Sequence, residues 1–246
     1  MSGHSHAKTI KHAKGITDQK RGQVFSKMAR LIAIAVRDGG PNIETNYRLK
    51  IAFERAKNFN MPNDNIERAI KSASGGLEGK NLNEFIFEAY GPGGIALLIE
   101  GITDNKNRVL LEIKQILSQR DGKLAQEGSV RWMFERKGVI VILLDSQPEQ
   151  WKNKEALELK TIEAGAQNFI WRPGNLLEVH LPIDSIQSVK EDFEKEGIKI
   201  ESSSTDWVAK DEIPVEEASD RKQVEKLFSD LDENNDVQDV YSNLKD

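Results

Sequence analysis

Between residues 132 and 204 the hydrophobic period changes in the order strand, helix, strand, strand, helix, strand, and few folds accept that order. Val139-Ile140-Val141-Ile142-Leu143-Leu144 is a short continuous apolar run, and a helical pattern covers about 149–164. The hairpin "FIWRPGNLLEVHLP" follows, and a helix near 183–196 leads to a strand over Ile198 to Ser202. The sequence β-α-β-β-α-β is the split βαβ, or ferredoxin-like plait. This segment is complete by itself.

Its flanks are not. Residues 81–131 read as ββα: "EFIFEAYGPGGIALLIEGI" gives two strands joined through the turn at Gly91 to Gly94, and Val109, Leu110, Ile113, Ile116 and Leu117 mark a helix that stops near Gly122. The C-terminal end supplies a helix over about 216–234 and a strand over 236–244, neither with a partner nearby in sequence. Joined, the two fragments make a second α/β unit into which the first is inserted. Three amphipathic helices precede them. The first runs from a Thr17 cap to about Asp38, the second spans Glu44 to Phe59, and the third opens on Asp64 and Glu67 at capping-box spacing and ends at Gly75-Gly76. The expected architecture is therefore α+β: a three-helix domain with a flexible tail (1–80), a discontinuous α/β domain (81–131 plus 205–246) and an inserted ferredoxin-like plait (132–204).

Charge divides along the same lines. Residues 1–80 carry 15 Lys and Arg against 7 Asp and Glu, whereas the remaining 166 carry 20 against 33, so a net charge of −5 hides a basic front and an acidic back. In the first helix Val24, Phe25, Met28, Leu31, Ile32, Ala35 and Val36 occupy an arc of roughly 140°, and Lys20, Lys27, Arg30 and Arg37 cluster on the opposite side. Ahead of it, "GHSHAKTIKHAKG" combines three histidines with Lys8, Lys11 and Lys14 and holds no acid. Such a tail cannot bury a core of its own, but its lysines can follow a phosphate backbone. The candidate nucleic-acid-binding residues are Lys8, Lys11, His12, Lys14, Lys20, Arg21, Lys27, Arg30 and Arg37.

Other functions find little support. The chain has no cysteine, which removes disulfides, thiolate nucleophiles and Cys-based metal sites. Its longest apolar run falls far short of the ~18 residues that mark a membrane span, and no secretory signal is legible, so the expected address is the cytoplasm. His4 and His6 lack a third ligand, and His180, between Val179 and Leu181, reads as structural. "YGPGG" lacks the phosphate-loop pattern and joins two strands, which makes it a tight turn. "TDNKNR" reads as a helix cap, with Lys106 and Arg108 as outer contacts in its functional version. Asp230, Asp232, Glu233, Asp236 and Asp239 read as an acidic C-terminal surface, with no pairing that suggests acid–base chemistry. The expectation is a non-enzymatic protein without a metal or other cofactor.

The motifs "GHS…IKH…K…D.KRG..F.K..R.I..A.R.GG", "NMPNDNIERAIK", "YGPGG.A.L.E..TDN.NR", "GSV..MF..KG" and "LD…DVQDVY.N" fall in one order along nearly the whole chain, and together they resemble the YebC/PmpR family. The chain departs from that pattern at His6-Ala7, where many relatives have Lys-Trp, and at Ala13, where an arginine is usual. The resemblance implies a helical domain followed by two α/β domains, no active site, and a role either as a transcriptional regulator on promoter DNA or as a translation factor acting with ribosomes. The third helix offers only Arg68 and Lys71 for groove reading, and the plaits lack an aromatic RNP-like signature. Shape-and-phosphate binding to folded RNA, as on a ribosome, is the favoured expectation, with ribosomal proteins as further partners and a monomeric chain. The alternatives are a DNA-binding transcriptional regulator and a protein-interaction adaptor without nucleic acid.

Overall fold

The computed structural model describes residues 18–75 and 81–245. Thr17, Lys8, Lys11, His12 and Lys14 lie outside them. Three helices come first: α1 (Asp18–Gly39), α2 (Tyr47–Asn58) and α3 (Asn63–Ser74). The apolar stripe of α1 packs on theirs as the spacing predicts, with Met28, Ile32, Ala35, Val36, Leu49, Ala52, Ala56, Met61, Ile66, Ala69 and Ala73 forming one buried cluster. Small residues on α2 and α3 let the helices approach closely.

Asn46 joins α1 to α2. Its Oδ1 accepts from Leu49 N at 3.0 Å and caps α2, while its Nδ2 donates to the Ala35 and Gly40 carbonyls, each at 2.7 Å. One buried side chain thus satisfies orphan groups at the end of one helix and the start of the next. This cap explains why α2 begins at Tyr47 and not at Glu44. The third helix has no capping box: Pro62 stands at the cap without a side-chain bond, and its carbonyl receives the Asn65 and Ile66 N–H groups.

The strands are β1 (Asn83–Tyr90), β2 (Ala96–Thr103), β3 (Lys123–Leu124), β4 (Phe134–Leu143), β5 (Asn168–Arg172), β6 (Leu176–Leu181), β7 (Ser202–Ala209) and β8 (Val237–Ser242). The remaining helices are α4 (Lys106–Gln119), α5 (Lys154–Glu163), α6 (Ile186–Lys195) and α7 (Ala218–Glu233). One sheet has the order β5-β6-β4-β7, which is that of a ferredoxin-like plait, and every pair in it is antiparallel. Ile140, Ile142, Leu177, Val179 and Leu181 face Leu157 of α5 and Val189 and Phe193 of α6. The other sheet, β3-β1-β2-β8, has the hairpin strands β1 and β2 at its centre, so it is also four-stranded but differently connected. The fold is α+β, as expected.

The last plait strand is displaced from its expected place. Ile198 is buried against the α6 cluster, but its N–H bonds back to Phe193 O, and the strand begins only at Ser202. Ser202-Ser203-Ser204-Thr205 carries no apolar alternation because β7 is an edge strand paired only with β4. By its contacts the chain separates into two compact units. One contains Arg131–Pro214 with the residues from Tyr241 onward, and the other contains the helices and the β1–β2 sheet up to Val130 with Val215–Val240.

Two glycines are demanded by the backbone of the second unit. Gly93, in the "YGPGG" turn, has φ 67°, and a side chain there would press on Val215. At Gly101 a Cβ would overlap the Asp236 carbonyl oxygen and the Phe85 ring; its absence lets Ile102 N donate to Asp236 O at 2.8 Å. Asn46→Ala is expected to lower stability by about 2–4 kcal/mol, combining a lost cap with two buried carbonyls left unpaired. Urea unfolding measures it, and Asn46→Asp, which keeps the cap acceptor but sets a carboxylate against both carbonyls, should not rescue it.

Candidate nucleic-acid interface

The polar side of α1 does not face solvent along its length. Gly101 lets the segment 234–240 run close beside β2, and the acids of that segment meet the cations of α1, α2 and α4 within one unit. Asp236, with a side chain 1% exposed, forms ion pairs with Arg30 and with Arg108, the latter at 2.7 Å, and accepts from Thr103 Oγ1 at 3.1 Å. Arg30 also donates to the Ile102 and Asn235 carbonyls. Asp239 receives both terminal nitrogens of Arg55, at 2.6 and 2.8 Å, in the planar two-bond geometry that suits guanidinium and carboxylate. Arg120 of α4 pairs with Asp230 of α7 at 2.7 Å.

Lys27 belongs to the same contact. Its Nζ donates to the Asp232 carbonyl at 2.7 Å, and burial pushes its ammonium below the ordinary lysine range, a shift that Asp232 and Asp239 partly oppose. Arg108 is driven the other way: its bond to Asp104 raises it further above an already high value, and the same bond holds the Asp104 carboxyl below the usual range.

Two expectations are corrected by this arrangement. Lys27 and Arg30 are committed to internal acceptors, so α1 does not present a continuous positive strip. Asp236 and Asp239 are buried, so the C-terminal acids are not simply an outward-facing surface. Of the other expected contacts, Lys20 is half-exposed and lies 3.3 Å from Glu233, Arg21 is exposed, and Arg37 is exposed while bonding Asp38 and the Leu82 carbonyl. Arg108 caps nothing with its side chain; Asn105 Oδ1 caps α4 by accepting from Arg108 N at 3.0 Å. His180 is a buried structural residue whose Nε2 lies 2.6 Å from Glu178 Oε1.

A second group of cations behaves differently. Lys50 on α2 and Arg68 and Lys71 on α3 are exposed, and none has an ion pair among the described residues, although Asp64 and Glu67 stand one helical turn before Arg68 and Lys71. Lys57, also exposed, lies over the Phe53 ring and bonds Asn63. These residues were legible as outer helix positions. What the sequence did not reveal is that they, and not Lys27 and Arg30, keep their charge toward solvent. No cluster of three or more potential metal ligands occurs among the described residues, and no described helix is long and apolar enough to cross a membrane.

Residues 5–76 match the family model of the TACO1/YebC protein N-terminal domain, and residues 82–244 match that of the TACO1/YebC second and third domain. The chain belongs to the TACO1/YebC family. A probable transcriptional regulatory protein of Nitratiruptor sp. is 45% identical over 245 residues, covering 100% of both chains. One from Halothermothrix orenii is 42% identical over 244 residues, 99% of this chain and 95% of that one. The crystal structure of a conserved hypothetical protein from Aquifex aeolicus is similar throughout, with a TM-score of 0.81 at 39% identity, covering 93% of this chain and 91% of that one.

In this TACO1/YebC chain the Asp236 site generates two expectations. Asp236→Ala should destabilise by about 2–4 kcal/mol, toward the lower side of the range for a broken buried pair because Arg30 and Arg108 both reach water. Chemical denaturation checks it. At Lys27 the folded pKa lies below the unfolded value, so between the two the unfolded chain binds the extra proton and stability rises as pH rises through that window. Lys27→Met removes the rise: the stability difference between native and variant should move in favour of the native chain from pH 7 to pH 10, and an unchanged difference would contradict the burial argument.

Proposed function

We propose that this protein is a non-enzymatic regulator of gene expression that binds the phosphate backbone of folded RNA, acting on the ribosome in translation. The observation that carries the reading is the division of its cations. One set is matched by internal carboxylates, whereas Lys50, Arg68 and Lys71 are left exposed without ion pairs among the described residues, on a module preceded by the cationic residues Lys8, Lys11, His12 and Lys14. In a chain of net charge −5, unmatched positive side chains gathered on one module suit a polyanion. The contact set is therefore revised to Lys8, Lys11, His12, Lys14, Lys20, Arg21 and Arg37 with Lys50, Lys57, Arg68 and Lys71.

Folded RNA is favoured over specific DNA because α3 carries just two long basic side chains, with Asp64 and Glu67 on the same helix, which is thin for reading a major groove. Nor can the plait read bases as an RNP-type sheet does. Its β4 and β6 residues on the side away from α5 and α6 are Val139, Val141, Leu176, Glu178 and His180, all buried. The second reading, a regulator on promoter DNA, is favoured by the names of the relatives.

Filter binding to a ribosomal RNA fragment tests the proposal. Affinity should collapse between 50 and 200 mM salt, and the triple variant Lys50→Gln, Arg68→Gln, Lys71→Gln should lower the slope of log affinity against log salt by about 2, at roughly 0.7–0.9 per lost phosphate contact. A sequence-selective DNA complex at physiological salt would favour the second reading. Binding to an acidic protein that RNA does not displace would favour the adaptor.

A further inference from the structure

The inserted plait carries an aromatic and cationic patch that the proposed phosphate interface does not use. Trp132 stands on a single tight helical turn, Arg131–Met133, directly before β4, and is 63% exposed, the most exposed aromatic side chain among the described residues. On the adjoining strands Arg136 and Trp207 are register partners and therefore share one face of the sheet. Two guanidinium groups lie over the Trp207 ring, that of Arg131 at 4.8 Å and that of Arg136 at 5.3 Å from its centroid. Glu135, Lys137 and Asp206, which alternate with these residues, belong to the opposite face.

Each part of this cluster has a chemical consequence. Stacking on an indole uses the π face of a guanidinium and leaves its in-plane N–H donors for an anion. Trp207 is buried beneath the arginines and serves to hold them in place. Trp132, fixed on a folded turn, offers a flat apolar surface to water, where an indole gains nothing by remaining. A ligand that fits has negative charges for the arginines and flat rings for the tryptophan, alternating at short range. Unpaired nucleotides have that composition; duplexes, whose bases are already stacked, do not.

We infer that Trp132, with Arg131 and Arg136, forms a stacking site for an unpaired stretch of RNA, separate from the phosphate-binding helices. This inference rests on the nucleic-acid reading above and gives the plait a part in it: the helices hold backbone by charge, and the plait takes a base by stacking.

The test measures fluorescence anisotropy of a labelled 12-nucleotide oligouridylate, which has little stacking of its own, and of an RNA duplex of equal length, on the full chain at fixed salt. Trp132→Ala should weaken the single strand by about tenfold, within the range of one base–aromatic stack, and change duplex binding by less than twofold. Trp132→Phe should restore most of the loss, and Arg131→Gln with Arg136→Gln should weaken the single strand and lessen its salt dependence. An unchanged thermal midpoint for Trp132→Ala, expected of so exposed a residue, shows that the variant is folded. If native protein and Trp132→Ala bind the single strand equally while both hold the duplex, the stacking site is overturned and the phosphate reading stands. If the native chain binds neither RNA, both fall. An oligoglutamate peptide that binds the native chain, competes with the single strand and is lost in Trp132→Ala would assign the patch to a protein partner and overturn the RNA assignment.

Discussion

Carboxylates from the last helix and strand meet guanidinium groups from the first helices, and the rest of the unit depends on that contact. Asp236 is held between Arg30 and Arg108, and Asp239 takes Arg55 with two bonds. Buried carboxylates without partners would be strongly unfavourable, so these acids are tolerable only where the basic helices stand. Each pair joins segments far apart in the chain; Arg30 and Asp236 are separated by 206 residues. The pairs fix where the helical module rests on the β1–β2 sheet, and the glycine at 101 is what lets the acidic segment come close enough to make them.

The same contact sorts the cations by role. Those committed to Asp236 and Asp239 cannot serve a mobile polyanion without leaving a buried carboxylate behind. Those on the exposed sides of α2 and α3 face no such competition. A protein that is acidic overall can then present a basic module, because its own acids are used where positive charge is structural and withheld where it faces solvent. The plait contributes differently, with its arginines held by an indole and not by a carboxylate.

Much of this was legible in the sequence, for identifiable reasons. The three helices were readable because Met28, Ile32, Leu49, Ala52, Ile66 and Ala69 repeat at helical spacing, and the plait because its elements alternate in period. The boundaries failed where local chemistry overrode pattern: Asn46 starts α2 late, Pro62 displaces the capping box, and Ile198 is buried in a turn that precedes its strand. The destination of the basic side of α1 was not legible. Lys27 and Arg30 have the same spacing whether they meet a phosphate or an acid two hundred residues away, and only the fold decides. The patch at Trp132 was hidden for a related reason. Trp132 and Trp207 lie 75 residues apart in sequence, in a connection and an edge strand that pattern alone does not bring together.

The pairing of acidic end with basic beginning is tested most directly by a double-mutant cycle at its best-formed contact, Arg55 with Asp239. Stabilities of the native chain, Arg55→Ala, Asp239→Ala and the double variant, from urea unfolding, give the coupling free of each residue's other contacts. A favourable coupling of about 1.5 kcal/mol or more is predicted, since the pair is two-bonded and largely buried. Additive effects, with a coupling indistinguishable from zero, would mean that these charges do not hold the unit together.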